Sequence, residues 1–312
     1  NNSAFGAQTT GGQIIGPWLT TGTGLATNND YGVYDASGNI LQAAIAASAE
    51  TTWTNAANSY TLSAGTALTG TRNMTGLRYT GAAGTLDLAN FNLGTTGVLN
   101  GGTAALTISS TGTGVVTLPS AVSGNLYVSA SNSQAITISA PINDNGAGVL
   151  TLVISGTNTT TLSSTTSTYS GGTVINAGTL SIGSSANLGD LNGDIYFNNA
   201  GNTGGVLSIT GATQTLDTGR DIFLNNGSMG TINTTNASVT TINGIISGTG
   251  GLIATAVTNG VLLLAGQNTY TGPTLVNTGT LRAGIASDVG YGAFGNNTAV
   301  TLANVASVYL DL

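Results

Sequence analysis

Between Leu106 and Ile138 an apolar-polar-apolar triplet returns every ten residues, as Leu106-Thr107-Ile108, Val116-Thr117-Leu118, Leu126-Tyr127-Val128 and Ile136-Thr137-Ile138. Side chains alternate across a strand, so the outer two residues of each triplet share one face and the middle one takes the other. Gly, Asn and Ser fill the intervals, which is turn chemistry. Similar runs follow at Leu150-Thr151-Leu152, Leu180-Ser181-Ile182, Ile195-Tyr196-Phe197, Leu207-Ser208-Ile209, Ile222-Phe223-Leu224 and Val300-Thr301-Leu302. Many short strands with regular turns suit a sandwich, a propeller or a solenoid. Three-residue strands bury enough surface only when each coil of chain stacks on the next, so the pattern predicts an all-β parallel β-solenoid. Coils of roughly 20 to 25 residues, about 4.8 Å apart, are expected. Leu150, Leu152, Leu180, Ile182, Leu207 and Ile209 should point inward, with Thr151, Ser181 and Ser208 outward.

Composition narrows the function. The 312 residues contain no His, Cys or Lys, and four Arg stand against eleven acidic residues, for a net charge of −7. No Ser-His-Asp or Cys-His pair can activate a nucleophile, and no imidazole or thiolate can hold zinc. The charge opposes nucleic acid, which needs Lys and Arg against its phosphates. Charged residues are 5% of the chain, against roughly 25% in an ordinary soluble domain. The surface is therefore neutral and hydroxyl-rich, while 40% hydrophobic content argues for a folded chain. No apolar run approaches the roughly 18 residues of a membrane span, and the start at Asn1 has no signal-peptide character.

A longer repeat lies on top of the short one. Thr168-Tyr169-Ser170-Gly171-Gly172-Thr173-Val174-Ile175-Asn176-Ala177-Gly178-Thr179-Leu180 aligns without a gap with Thr269-Tyr270-Thr271-Gly272-Pro273-Thr274-Leu275-Val276-Asn277-Thr278-Gly279-Thr280-Leu281, at an offset of 101. Similar runs, Gly148 to Leu152 and Gly260 to Leu264, lie upstream of each copy. The shared Tyr, Gly, Thr, Asn, Gly and Leu resemble the autotransporter-associated β-strand repeat, also called the passenger-associated transport repeat, over about residues 148–190 and 245–300. That resemblance implies a right-handed parallel β-helix exported to the bacterial surface or secreted, within a large adhesin or autotransporter passenger. Nothing up to Leu312 resembles the outer-membrane barrel of such proteins. The chain is read as a piece of a larger surface protein or as a relative without the barrel.

Residues 51–312 are assigned to the solenoid and 1–50 to an N-terminal segment, a cap or a connector. Within it, Ile40 to Glu50 carries apolar residues at helical spacing, with an Ala-rich strand as the alternative. Asp190, Asn192 and Asp194 set oxygen ligands at alternate positions like the start of a calcium loop, but the run lacks that motif's sixth-position Gly and distal Glu. An Asx turn is the plainer reading, and no other cofactor is expected. Asp194 and Asp217, 23 apart, are about one coil from each other and are the carboxylate pair best placed to stack. Tyr169 and Tyr270 are read as wall residues rather than sugar platforms.

The favoured function is a structural or adhesive element of an extracellular fibre or coat, with no catalysis. Contact with a glycan or another surface is an expected partner class. A carbohydrate-active β-helix and an ice-binding solenoid are the alternatives, the latter on Thr-rich runs at Thr157 to Thr161 and Thr165 to Thr168. Val308, Leu310 and Leu312 alternate with Ser307, Tyr309 and Asp311, which marks a strand whose edge can accept another chain. With Phe5 in the Gly- and Thr-rich segment Asn1 to Gly12 as the connector, head-to-tail filaments are expected.

Overall fold

The structure is a computed structural model. It describes residues 20–21, 30–34, 40–43, 45–131, 134–198, 205–286, 288–296, 299–303 and 308–312. The chain divides into two compact units, Asn1–Thr161 and Leu162–Leu312. Each is a parallel β-solenoid with almost no helix.

In the first unit the chain winds past three faces. One is built from Ser59–Leu62, Gly76–Tyr79, Gly97–Asn100, Gly124–Ala130 and Leu150–Gly156. The second takes Thr66–Ala67, Gly84–Asp87, Leu106–Ser109 and Ile136–Ile138, and the third Arg72–Met74, Leu93–Thr95 and Val116–Thr117. The ten-residue interval now has a physical meaning. Leu106, Val116 and Leu126 lie on three different faces of one coil, and Ile136 returns to pair with Leu106. Coil length nevertheless varies with the turns: Ser59 pairs with Gly76, 17 residues on, and Leu106 with Ile136, 30 on.

The second unit repeats the plan. Its first face holds Thr173–Ile175, Ile195–Phe197, Ile222–Leu224 and Ile246–Gly248. Thr179–Ile182, Val206–Ile209, Met229–Thr234 and Gly251–Ala256 form the second face, and Thr215–Leu216, Val239–Ile242 and Val261–Leu264 the third. The long strand Thr274–Ala283 serves both of these faces, and its register shifts opposite Ala254 and Thr255. Leu180, Leu207, Ile232, Ala254 and Val276 stack in register and are buried. Each Leu or Ile in such a column contributes about 1.5–3 kcal/mol by leaving water.

The inward set predicted from the triplets is buried throughout. Ser208 differs: it is only 6% exposed, because it lies in the ladder between Ser181 and the longer Asn233, which cover it.

Ile40 to Glu50 is not an α-helix. It forms the strand Ile40–Gln42, a parallel bridge from Ala47 to Thr61 and a single 3-10 turn at Glu50–Thr52. So short an isolated helix is marginal, and pairing with neighbouring chain outweighs its periodicity. Thr20–Thr21, Asp30–Tyr34 and Ile40–Gln42 pair antiparallel, against the parallel pairing of the solenoid strands given above. Tyr31, wholly buried, packs with Leu99, Ala43 and Ile45 and donates its hydroxyl to the Leu77 carbonyl at 2.9 Å. Asp30 pairs with Arg78. No helix among the described residues is long and apolar enough to cross a membrane.

Candidate functional site

The long repeat encloses a buried clamp. Tyr169 and Thr173 share a hydrogen bond at 2.8 Å, and Tyr270 and Thr274 share one at 2.6 Å. Both rings are wholly buried, so these tyrosines line the wall. Gly189 and Gly295, at φ of 70° and 86°, approach them so closely that a Cβ would strike the Tyr169 and Tyr270 carbonyls. Each glycine is followed by a residue, Asp190 or Asn296, whose N–H donates to that carbonyl. The repeat unit is therefore a Tyr–Thr hydroxyl pair seated under a positive-φ glycine from the following coil. Burial pushes both phenols up to about 12, with the hydroxyl partners pulling back.

Asp190, Asn192 and Asp194 surround a different centre. Asp190 accepts the Asn192 N–H at 2.8 Å, an Asx turn. Asp194 accepts the Asp221 N–H at 3.1 Å and the Tyr196 hydroxyl at 3.2 Å. Arg220, wholly buried, aims its guanidinium among the backbone oxygens here. It donates to the carbonyls of Leu188 at 3.2 Å and Asp190 at 2.8 Å, to that of Gly193, and to Ser185 Oγ at 3.4 Å. Ser185 in turn donates to Asp217 at 2.7 Å. Burial lowers the Arg220 pKa, and Tyr169 with Asp217, Asp190 and Asp194 pulls it back. Asp194 stacks against Asp221 rather than Asp217, because the coil is 27 residues long here, as Ile195 pairing with Ile222 shows. Among the described residues no three His, Cys, Asp or Glu side chains gather closely enough to hold a metal ion.

On the outer face of the second unit two rungs carry the same pattern, Asp194-Ile195-Tyr196-Phe197-Asn198 and Asp221-Ile222-Phe223-Leu224-Asn225. Ile195, Phe197, Ile222 and Leu224 are buried, so the alternate Asp, aromatic and Asn residues face outward. Tyr196 and Phe223 stack with ring centres 4.9 Å apart and planes within 11°. Asn225 donates to the side-chain oxygen of Asn198 at 2.7 Å, and the Ile245 N–H donates to Asp221 at 2.8 Å. Sequence reasoning placed these strands but missed the ladder. The signal was the same five-residue pattern returning 27 positions on.

Of the assembly residues, Val308, Tyr309 and Leu310 lie in the strand Val308–Asp311, which pairs in parallel with Thr274–Ala283. Tyr309 is 59% and Leu312 89% exposed, while Val308 and Leu310 are half-buried. Asp311 pairs with Arg282 at 2.5 Å. Phe5 lies outside the described residues.

Stacked three-faced coils with a recurrent wall clamp define the class, a repeat-built parallel β-solenoid. The passenger-associated-transport-repeat model matches the chain twice, at residues 155–182 and 254–283. Each match encloses one Tyr–Thr clamp. The chain is also similar to the adhesin BmaC autotransporter of Brucella suis biovar 1 (strain 1330), at 39% identity over 166 residues. The match covers 49% of this chain and 4% of the adhesin's own length. No solved structure matches the chain.

Proposed function

We propose that the chain is a section of a surface-exposed or extracellular passenger, an adhesive and structural solenoid without catalysis. The observation that carries this reading is the passenger repeat itself, present twice with the same buried clamp. The likeness to a protein named as an autotransporter adhesin supports it. The chemistry agrees, since a solenoid surface lacking His, Cys and Lys offers hydroxyls and amides rather than reactive groups. The reading takes no cofactor, and it treats Asp190 as the head of an Asx turn, its carboxylate accepting the Asn192 N–H, rather than as a calcium ligand. The finer part of the proposal is head-to-tail assembly. The strand Val308–Asp311 pairs in parallel with Thr274–Ala283 and leaves Tyr309 exposed. Tyr309 and Leu312 would flank an incoming strand, with Phe5 of the next copy in the connector.

Display of the chain on a non-adherent bacterium tests the adhesive reading. Displaying cells should bind host-cell monolayers or abiotic surfaces above the undecorated strain; displayed chain with no gain in adhesion overturns it. Electron microscopy tests assembly, with filaments expected from the full chain and monomers after deletion of Asn1 to Gly12.

One observation favours a second reading, ice binding. Thr85, Thr107 and Thr137 stack in register on the outer face of the first unit. In the Thr-rich run Thr157 to Thr161, Thr160 is buried, while Thr159 and Thr161 alternate with it on the strand Thr159–Leu162, next to Ile136–Ile138 in the same sheet. Thermal hysteresis from the purified chain decides the matter.

A further inference from the structure

We propose that the outer face around Phe223 binds an uncharged glycan, with one sugar ring stacked on the side of Phe223 that faces away from Tyr196. The inference rests on the adhesive reading and gives it a ligand class and a place. Tyr196 covers one side of the Phe223 ring. The next rung in register is Ser247, whose side chain is too small to cover the other. The aromatic ladder therefore ends in a step, with an open π-face above a hydroxyl floor. On the same strand face, Asp221 and Asn225 stand two positions to either side of Phe223, roughly 7 Å from it. Asp221 uses one carboxylate oxygen on the Ile245 N–H, and among the described residues the other oxygen has no partner. Asn225 spends its amide N–H on Asn198, and its side-chain oxygen is likewise without a partner among the described residues.

A pyranose ring matches this arrangement. Its C–H face is apolar and slightly positive, which suits the negative face of an aromatic ring. Hydroxyls around its rim would donate to Asp221 and Asn225, and a carboxylate acceptor makes the stronger bond. Asp194 and Asp221 on adjacent rungs, within a chain of net charge −7, repel uronates and sialic acids, so the ligand is uncharged. The step is shallow, so affinity must come from several weak contacts along a polymer or from many copies on one surface.

Saturation-transfer NMR on the full chain, with neutral hexaoses of β-linked glucose, α-linked glucose and mannose as probes, tests the site. At least one probe should receive saturation at its ring protons, and an oligogalacturonate of equal length should not. Ser247→Tyr continues the aromatic stack over Phe223 and should abolish the signal, while Ser247→Ala leaves the face open and should keep it. If Ser247→Tyr fails to fold, Phe223→Leu removes the π-face at similar volume and should also abolish the signal. Silence from all three neutral probes overturns the proposal, as does an undiminished signal in Ser247→Tyr or an equal one from the uronate. Adhesion of displaying cells, measured in parallel, separates the two readings. Adhesion without sugar binding removes this site and leaves the adhesive function; sugar binding without adhesion does the reverse.

Discussion

The phenol of Tyr270 and the hydroxyl of Thr274 meet at 2.6 Å inside the wall of one coil, and Tyr169 and Thr173 repeat the pair at 2.8 Å. Both partners of each pair are buried, so neither hydroxyl can exchange its bond for water. Tyr270→Phe keeps the ring and strands the Thr274 hydroxyl, which should cost about 1–3 kcal/mol. Tyr270→Ala adds a cavity and should cost about 3–5 kcal/mol. Adding Thr274→Val to Tyr270→Phe should recover most of the first loss, because it removes the orphaned hydroxyl at nearly constant shape. Denaturant midpoints for the single and double variants measure this. A double variant no more stable than Tyr270→Phe would show that the two hydroxyls do not act as a pair.

Stability should be flat with pH between about 5 and 9, because the sequence has no His or Cys, the side chains that ordinarily titrate there. At the alkaline end, Tyr169 and Tyr270 are pushed up to about 12 by burial, against about 10 in an unfolded chain. Burial and Asp30 push Tyr31 up as well. Between those values the folded protein holds more protons than the unfolded one. Its stability is therefore full below about pH 10 and is lost as pH rises toward 12. At the acid end, burial raises the Glu50 carboxyl, but hydrogen bonds from Arg72 and Thr69 outweigh it and hold the group low. Thr111 and Ala89 hold Asp87 low. These contributions are present above the ordinary carboxylate range near 4 and are lost as pH falls through the lower folded values. Melting temperatures from pH 3 to 12 test the profile, and a slope between 5 and 9 would contradict it.

Much of the fold was legible because burial in a solenoid is a two-residue alternation, and Leu180-Ser181-Ile182 or Ile136-Thr137-Ile138 states it directly. Stacking partners were harder to read. Turn length sets which residues meet across coils, and turns here stretch one coil from 17 residues to 30. Asp194 therefore meets Asp221, although Asp217 stood nearer a typical coil length. The Tyr–Thr clamp was visible as a recurring motif, but its glycine lid was not, since Gly189 and Gly295 reach it only through the next coil. Tyr196 and Phe223 were visible too. On an exterior otherwise rich in Thr, Ser and Asn, two aromatics at outward positions were the mark of a surface feature.

Arg220 should be among the positions least tolerant of change in the second unit. Its guanidinium satisfies the carbonyls of Leu188, Asp190 and Gly193, which come from one turn folded around it. Arg220→Met fills much of the space but leaves those oxygens and the Asp217–Ser185 pair without their cation, at an expected cost of about 3–5 kcal/mol. Arg220→Lys restores the charge without the planar fork and should recover only part of the loss. Thermal unfolding of the two variants checks the order. Equal stability in the Met and Lys variants would mean that charge contributes nothing and the fork alone matters.

The same substitution, Thr to Val, should change sign with position. Thr160 and Thr234 are wholly buried, and among the described residues their hydroxyls have no hydrogen-bond partner. Each therefore carries the desolvation of a hydroxyl with no bond to offset it. Val has nearly the same shape and no polar atom, so Thr160→Val and Thr234→Val should each stabilise the chain by about 1 kcal/mol. Thr173 and Thr274 are equally buried, but their hydroxyls bond to Tyr169 and Tyr270. There the replacement leaves a phenol unpaired and should destabilise by about 1–3 kcal/mol. Because one chemical change is compared at four buried positions, differences in side-chain entropy and volume largely cancel. Midpoints of urea unfolding for the four single variants give the signs. Destabilisation by Thr160→Val or Thr234→Val would mean that the hydroxyl is satisfied in solution, by a trapped water of the kind buried polar groups recruit.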